Sequence, residues 1–170
     1  MNILHLGWGF KPWRGGGLIE YAEDLMNIQA EKGWSVSYFF SGRYYPYAST
    51  TLKKWRNGEI NMFEIINSPI FHAGDLGTLY PKLDLKEEII ENYFRDVLTQ
   101  TKPNIIHIQE LAGMPSSLIE IAKDEYKIPL VMTLHDYFLL CPTLKLFKSN
   151  NQICIGHDIK EKCSICCRNA

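Results

Sequence analysis

The chain has 170 residues, enough for one domain with a sizeable core, and its 46% hydrophobic and 22% charged residues are those of an ordinary soluble globular domain. A net charge of -1 gives no basic footprint, which argues against a nucleic-acid partner. No apolar stretch approaches the ~18 residues of a membrane span, and the opening Met1-Asn2-Ile3-Leu4-His5-Leu6-Gly7 lacks the basic start of a secretory signal. The expected compartment is therefore the cytoplasm, where the five cysteines stay reduced.

Residues 3–7 read as a first strand, apolar on both faces as in a parallel sheet. A loop over residues 8–14 leads to Gly15, Gly16 and Gly17. Residues 18–32 carry Leu18, Ala22, Leu25 and Met26 at helical spacing, and Gly33 stops that helix. Residues 35–40 form a second, aromatic-rich strand. Residues 41–56 read as irregular, with Tyr44, Tyr45 and Tyr47 in a short run, and residues 60–66 as a third strand.

Residues 67–83 read as loop. Asp84 and Glu87 have capping-box spacing and open a helix that reaches about Thr101. In that helix Leu85, Ile89, Tyr93 and Val97 form one stripe, with Ile90, Phe94 and Leu98 beside it. A fourth strand follows over residues 104–108, then a helix from Pro115 to about Lys127, and a fifth strand over residues 129–134. Strand and helix alternate often enough to specify an α/β fold, a doubly wound, Rossmann-like parallel sheet with flanking helices. The domain covers residues 1–140; residues 141–170 form a short cysteine-bearing extension, a small subdomain or hairpin.

In such a sheet ligands gather at the carboxyl ends of the strands. Three of those ends carry unusual residues: 7–17, 107–110 and 135–136. The three glycines open a helix, where backbone N–H groups and the dipole favour a diphosphate; the plain alternative is a turn with no ligand. Arg14 adds a charge-assisted contact to such an anion. The spacing fits neither G-x-G-x-x-G nor a P-loop.

His135 and Asp136 directly follow an apolar strand and are the catalytic candidates, although a lone histidine is more often structural. His107, inside an apolar strand, reads as a core or supporting residue. Glu110 stands at a strand end, to touch ligand or to cap the next helix. Trp8, Phe10 and Trp13 flank the glycine loop; their faces suit sugar rings, or simply pack the loop. In the tail only Cys163 and Cys166 have C-x-x-C spacing, with Cys141 and Cys154, or His157 as a substitute, to complete a structural zinc knuckle. Reduced thiols are the simpler reading.

Together the loop from Pro12 to Gly17, the segment from Asn104 to Glu110, and the stretch Thr133-Leu134-His135-Asp136-Tyr137-Phe138-Leu139-Leu140-Cys141-Pro142 resemble the N-terminal domain of family 4 glycosyltransferases, which have the GT-B fold. The resemblance implies retaining transfer of a sugar from a nucleotide-sugar to a glycan or lipid-linked acceptor, with no metal in the active site. It implies that this half holds the acceptor and that Gly15, Gly16 and Gly17 lie near donor phosphates. His135 would hydrogen-bond the donor sugar, and Asp136 would orient the loop or the histidine.

The family's donor-binding half, with its Glu-x7-Glu motif, has no counterpart in these residues, so the expectation is that this chain alone is inactive. The aromatic loops permit peripheral contact with the inner face of a membrane. Two other classes compete: a flavodoxin-like redox protein, disfavoured by the long aromatic loop after the first strand, and a non-catalytic interaction domain stitched by zinc.

Overall fold

The computed structural model describes residues 1–70, 81–137, 139–141, 146–147, 152–155 and 163. Among them the chain runs β1 (Asn2–Gly7), α1 (Gly17–Glu31), β2 (Ser35–Ser41), β3 (Thr51–Asn57), β4 (Ile60–Ile66), α2 (Pro81–Leu85), α3 (Glu88–Thr101), β5 (Ile105–Ile108), α4 (Ser117–Glu120) and β6 (Leu130–Met132). A π-helical turn, Ile121–Glu125, continues α4. The strands form one six-stranded sheet in the order β3-β4-β2-β1-β5-β6. It is parallel throughout except for β3, which pairs antiparallel with β4.

The doubly wound α/β architecture read from the sequence is what the chain adopts. The hydrophobic pattern explains its layers. Leu4, Leu6, Phe39, Ile65, Ile106 and Ile108 point to one face and bury against Ile90, Phe94, Val97 and Leu98 of α3 and against Leu118, Ile121 and Ala122. Val36, Tyr38, Phe40 and Met62 point to the other face and bury against Ala22 and Met26 of α1. At roughly 1.5–3 kcal/mol per buried large apolar side chain, these two layers are the main favourable term in folding.

The strand over Thr51–Asn57 falls in a stretch read as irregular. Its only large apolar residues are Leu52 and Trp55, so it lacks the period of two that marks a half-buried strand. It needs none, because it lies at the sheet edge, where Lys53, Lys54 and Arg56 are exposed and discourage further pairing.

The helix start at Asp84 also needs correction. Asp84 lies within α2, and its carbonyl accepts from the Ser116 amide at 2.8 Å. The cap of α3 is Glu87, whose carboxylate accepts the Ile90 amide at 2.8 Å. Of the two stripes, the structure buries Ile90, Phe94 and Leu98 together with Val97, and leaves Leu85 and Ile89 exposed. The helix after Pro115 widens into a π turn and ends by Tyr126.

Beyond β6 the described part of the extension pairs Phe147 with Ile153 in an antiparallel bridge, as a hairpin would. No helix among the described residues is long and apolar enough to cross a membrane.

Candidate functional site

Strand order reverses between β1 and β5: α1 carries the chain from β1 to β2 on one side, while β5 and β6 lie on the other. The crevice at the carboxyl ends of those two strands is where an open parallel sheet binds its ligands. The candidate residues meet at this point.

Register brings His5 of β1 opposite His107 of β5, with ring centroids 5.1 Å apart. Gln109, one residue past β5, lies buried beside them. Its side-chain nitrogen donates to His5 Nδ1 at 3.2 Å, and its oxygen accepts from His135 Nε2 at 3.0 Å. His5 Nε2 in turn donates to Gln29 Oε1 of α1 at 2.7 Å. This directed chain requires a neutral His5, which must accept at Nδ1 while donating at Nε2. Burial acts in the same sense: it pushes the His5 imidazole down to about 4, with His107 adding a smaller push. Burial and His135 likewise lower His107, whose Nε2 is 2.8 Å from Thr133 Oγ1.

The chain fixes His135. Nε2–H donates to the Gln109 amide oxygen, which sets the orientation of the ring. The ring is half-buried and meets Tyr21 edge-on, with centroids 5.0 Å apart. Tyr21 stands one turn into α1, so the start of that helix and His135 share one cleft edge.

Glu110 is buried beneath this edge. One carboxylate oxygen accepts from the amides of Leu111 at 2.7 Å and Ala112 at 3.1 Å. Burial, and then the neighbouring Asp136 carboxylate with which it hydrogen-bonds, raise Glu110 to about 7. Glu110 therefore holds its proton to near neutrality beside Asp136. Gln109, Glu110, Thr133, His135, Asp136 and Leu139 line a small depression here. The resemblance casts Asp136 as orienting the loop or His135; in the structure Gln109 orients the histidine and Asp136 partners Glu110.

The glycines are adjacent but play unequal parts. Gly16 caps α1 with φ 118°, a conformation that only glycine adopts readily, and no side chain caps the helix amides there. Added side chains at Gly15 and Gly17 would meet nothing within 4 Å. Arg14 does not reach toward the glycines. Its stem lies across Gly9, where a Cβ would sit 2.5 Å from Arg14 Cδ. Its guanidinium stacks over Trp8 at 4.3 Å and donates to the Gly42 carbonyl at 3.3 Å. Arg14 therefore serves a second cleft, at the ends of β1 and β2.

Cys141, Cys154 and Cys163 are half-buried. No group of three or more His, Cys, Asp or Glu side chains among the described residues is gathered to hold a metal, and Cys166 lies outside them.

Sequence reasoning missed the roles of His5, Gln109, Gln29 and Tyr21. The available signal was a polar residue inside each of two otherwise apolar strands, His5 and His107, which a parallel register can align.

No family model matches the chain. It is 25% identical over 162 residues to an uncharacterized 42.6 kDa protein in the cps region of Klebsiella pneumoniae. That match covers 91% of this chain but 42% of the relative, so the chain spans less than half the length of the protein it matches.

Proposed function

We propose that this chain is the acceptor-side, N-terminal half of a retaining glycosyltransferase. On this reading the whole protein moves a sugar from a nucleotide-sugar to a glycan or lipid-linked acceptor at the cytoplasmic side of a membrane, and a separate domain holds most of the donor. The observation that carries the reading is the convergence of His135, Glu110 and the start of α1 at the switch point of the sheet. A relative from a cps region is in keeping with polysaccharide biosynthesis.

The residues present suit the chemistry. Sugar transfer develops positive charge at the anomeric carbon and negative charge on the leaving diphosphate. Fixed dipoles and hydrogen bonds that match those charges lower the barrier without reorganising. The open amides at Gly16 and Gly17 face an anion favourably. His135, held by a neutral relay, offers Nδ1 to a sugar hydroxyl. Glu110, which keeps its proton up to about 7, can donate to or accept from an acceptor hydroxyl beside Asp136.

The test is transfer itself. The whole protein, incubated with a panel of labelled nucleotide-sugars and lipid-linked glycan acceptors, should incorporate label with retention at the anomeric carbon. Inversion would refute the retaining mechanism, and failure of the folded protein to bind or turn over any nucleotide-sugar would refute the class.

A further inference from the structure

Across β1 from His135 lies a cleft of about 260 Å³, lined by Gly9, Phe10, Trp13, Arg14, Gly42, Arg43, Tyr44 and Tyr45. It carries two guanidinium groups in different electrostatic states. Arg43 is neutralised: its Nε and Nη2 grip the Glu64 carboxylate at 2.7 and 2.6 Å, and that carboxylate is fully buried. The pair makes a rigid floor, over which the rings of Trp13, Phe10 and Tyr45 stand 5.1 to 5.8 Å from the guanidinium. Arg14 has no such compensation. Among the described residues it makes no ion pair; its partners are the Trp8 ring and the Gly42 carbonyl. A half-buried cation without a counter-ion is costly, and the same desolvation strengthens any charge-assisted bond formed there.

We infer that this cleft binds a pyranose unit bearing a carboxylate, with the apolar ring face on Trp13 and the carboxylate on Arg14. Trp13 is 60% exposed, a platform already turned to solvent. A cleft of this volume accommodates one sugar ring. The single uncompensated cation matches one negative charge; a phosphate monoester, with nearly two, would leave charge unpaired. A planar guanidinium matches the carboxylate with two parallel hydrogen bonds. Gly9 is part of the design, since a side chain there would strike the Arg14 stem. The inference deepens the acceptor-side reading by assigning a charge to the acceptor.

The probe is methyl β-glucuronide, set against methyl β-glucoside and glucose 6-phosphate, titrated into the whole protein by calorimetry. The uronide should bind roughly tenfold or more tightly than the neutral glycoside, the ratio expected of one charged hydrogen-bonded pair. Arg14→Met should erase that preference while leaving glucoside affinity in place, Arg14→Lys should restore part of it, and Trp13→Ala should weaken all sugars. Circular dichroism confirms folding of each variant. Equal affinity for uronide and glucoside, preference for the phosphate, no binding at all, or a preference that survives in folded Arg14→Met would overturn the assignment. The two proposals fail separately. Uronide binding without any transfer sinks the transferase reading alone; transfer to neutral acceptors without uronide binding sinks this one alone.

Discussion

The two flanks of the β1 tip solve the problem of burying polar groups in opposite ways. Toward β2 and β4 the fold buries full charges and pairs them: Glu64 lies wholly inside, held by both arms of Arg43 and by its backbone amide. Toward β5 and β6 it buries polar groups and removes their charge. His5 is kept neutral by burial, and Glu110 keeps its proton to about 7. The first arrangement makes a wall of paired charge. The second leaves groups whose protonation answers to pH.

The comparison breaks most visibly at Glu64. Glu64→Gln leaves Arg43 without its counter-charge in a mostly buried position, and thermal or urea unfolding should show a loss of about 3 kcal/mol or more. A loss well below 1 kcal/mol would mean that the wall is not held by this pair.

The pH dependence sharpens the contrast. Glu110 ionises near 7 in the fold and near 4.5 when unfolded, so between those values the native state binds more protons. Its stabilising contribution is complete below 4.5 and is lost as pH rises through 7. His5 has the opposite sign: its contribution is complete above 6.5 and is lost as pH falls toward 4, because the unfolded chain then binds the extra proton. Glu110→Gln should therefore become more favourable on going from pH 5 to pH 8, by roughly 2 kcal/mol relative to the parent chain. A pH-independent difference in urea midpoints would show that the buried carboxyl does not hold its proton.

Smaller still is the effect at the start of α1. Gly16→Val forces a β-branched residue to φ 118° and should cost roughly 1–2 kcal/mol, with weaker donor or acceptor binding by the whole protein. Unchanged affinity would reduce the loop to a turn. Tyr21→Ala removes one edge-on ring contact to His135 at the surface and should cost under about 1 kcal/mol.

Much of this arrangement was written in local patterns. Five of the sheet's strands, β1, β2, β4, β5 and β6, announce themselves as apolar runs between turn residues, and the buried faces of α1 and α3 follow the helical period. His135, Asp136 and Glu110 stood out as polar residues at strand ends, and the structure brings the three to one depression. What was illegible depends on register and on edges. Gln109 is 104 residues from His5, and only the β1–β5 pairing brings them within a hydrogen bond. The charge pair of Arg43 and Glu64 depends on β2 lying beside β4, although a glutamate within the apolar run of β4 hinted at a buried partner. The edge strand β3 escaped because it faces water too much to need a pattern. Arg14 was assigned to the wrong neighbour, since spacing along the loop says nothing about its fold back over Gly9. The zinc knuckle rests in part on Cys166, outside the described residues.

The central claim is that His135 is held by Gln109 in order to act on a sugar, not to support the fold. The most direct measurement is nucleotide-sugar-dependent transfer by the whole protein carrying His135→Ala, at a folded fraction matched by circular dichroism. The account predicts a rate lower by on the order of a hundredfold, the usual effect of deleting one preorganised hydrogen-bonding group at a reacting centre, with a melting temperature little changed. A folded variant that transfers sugar at the parent rate would contradict it.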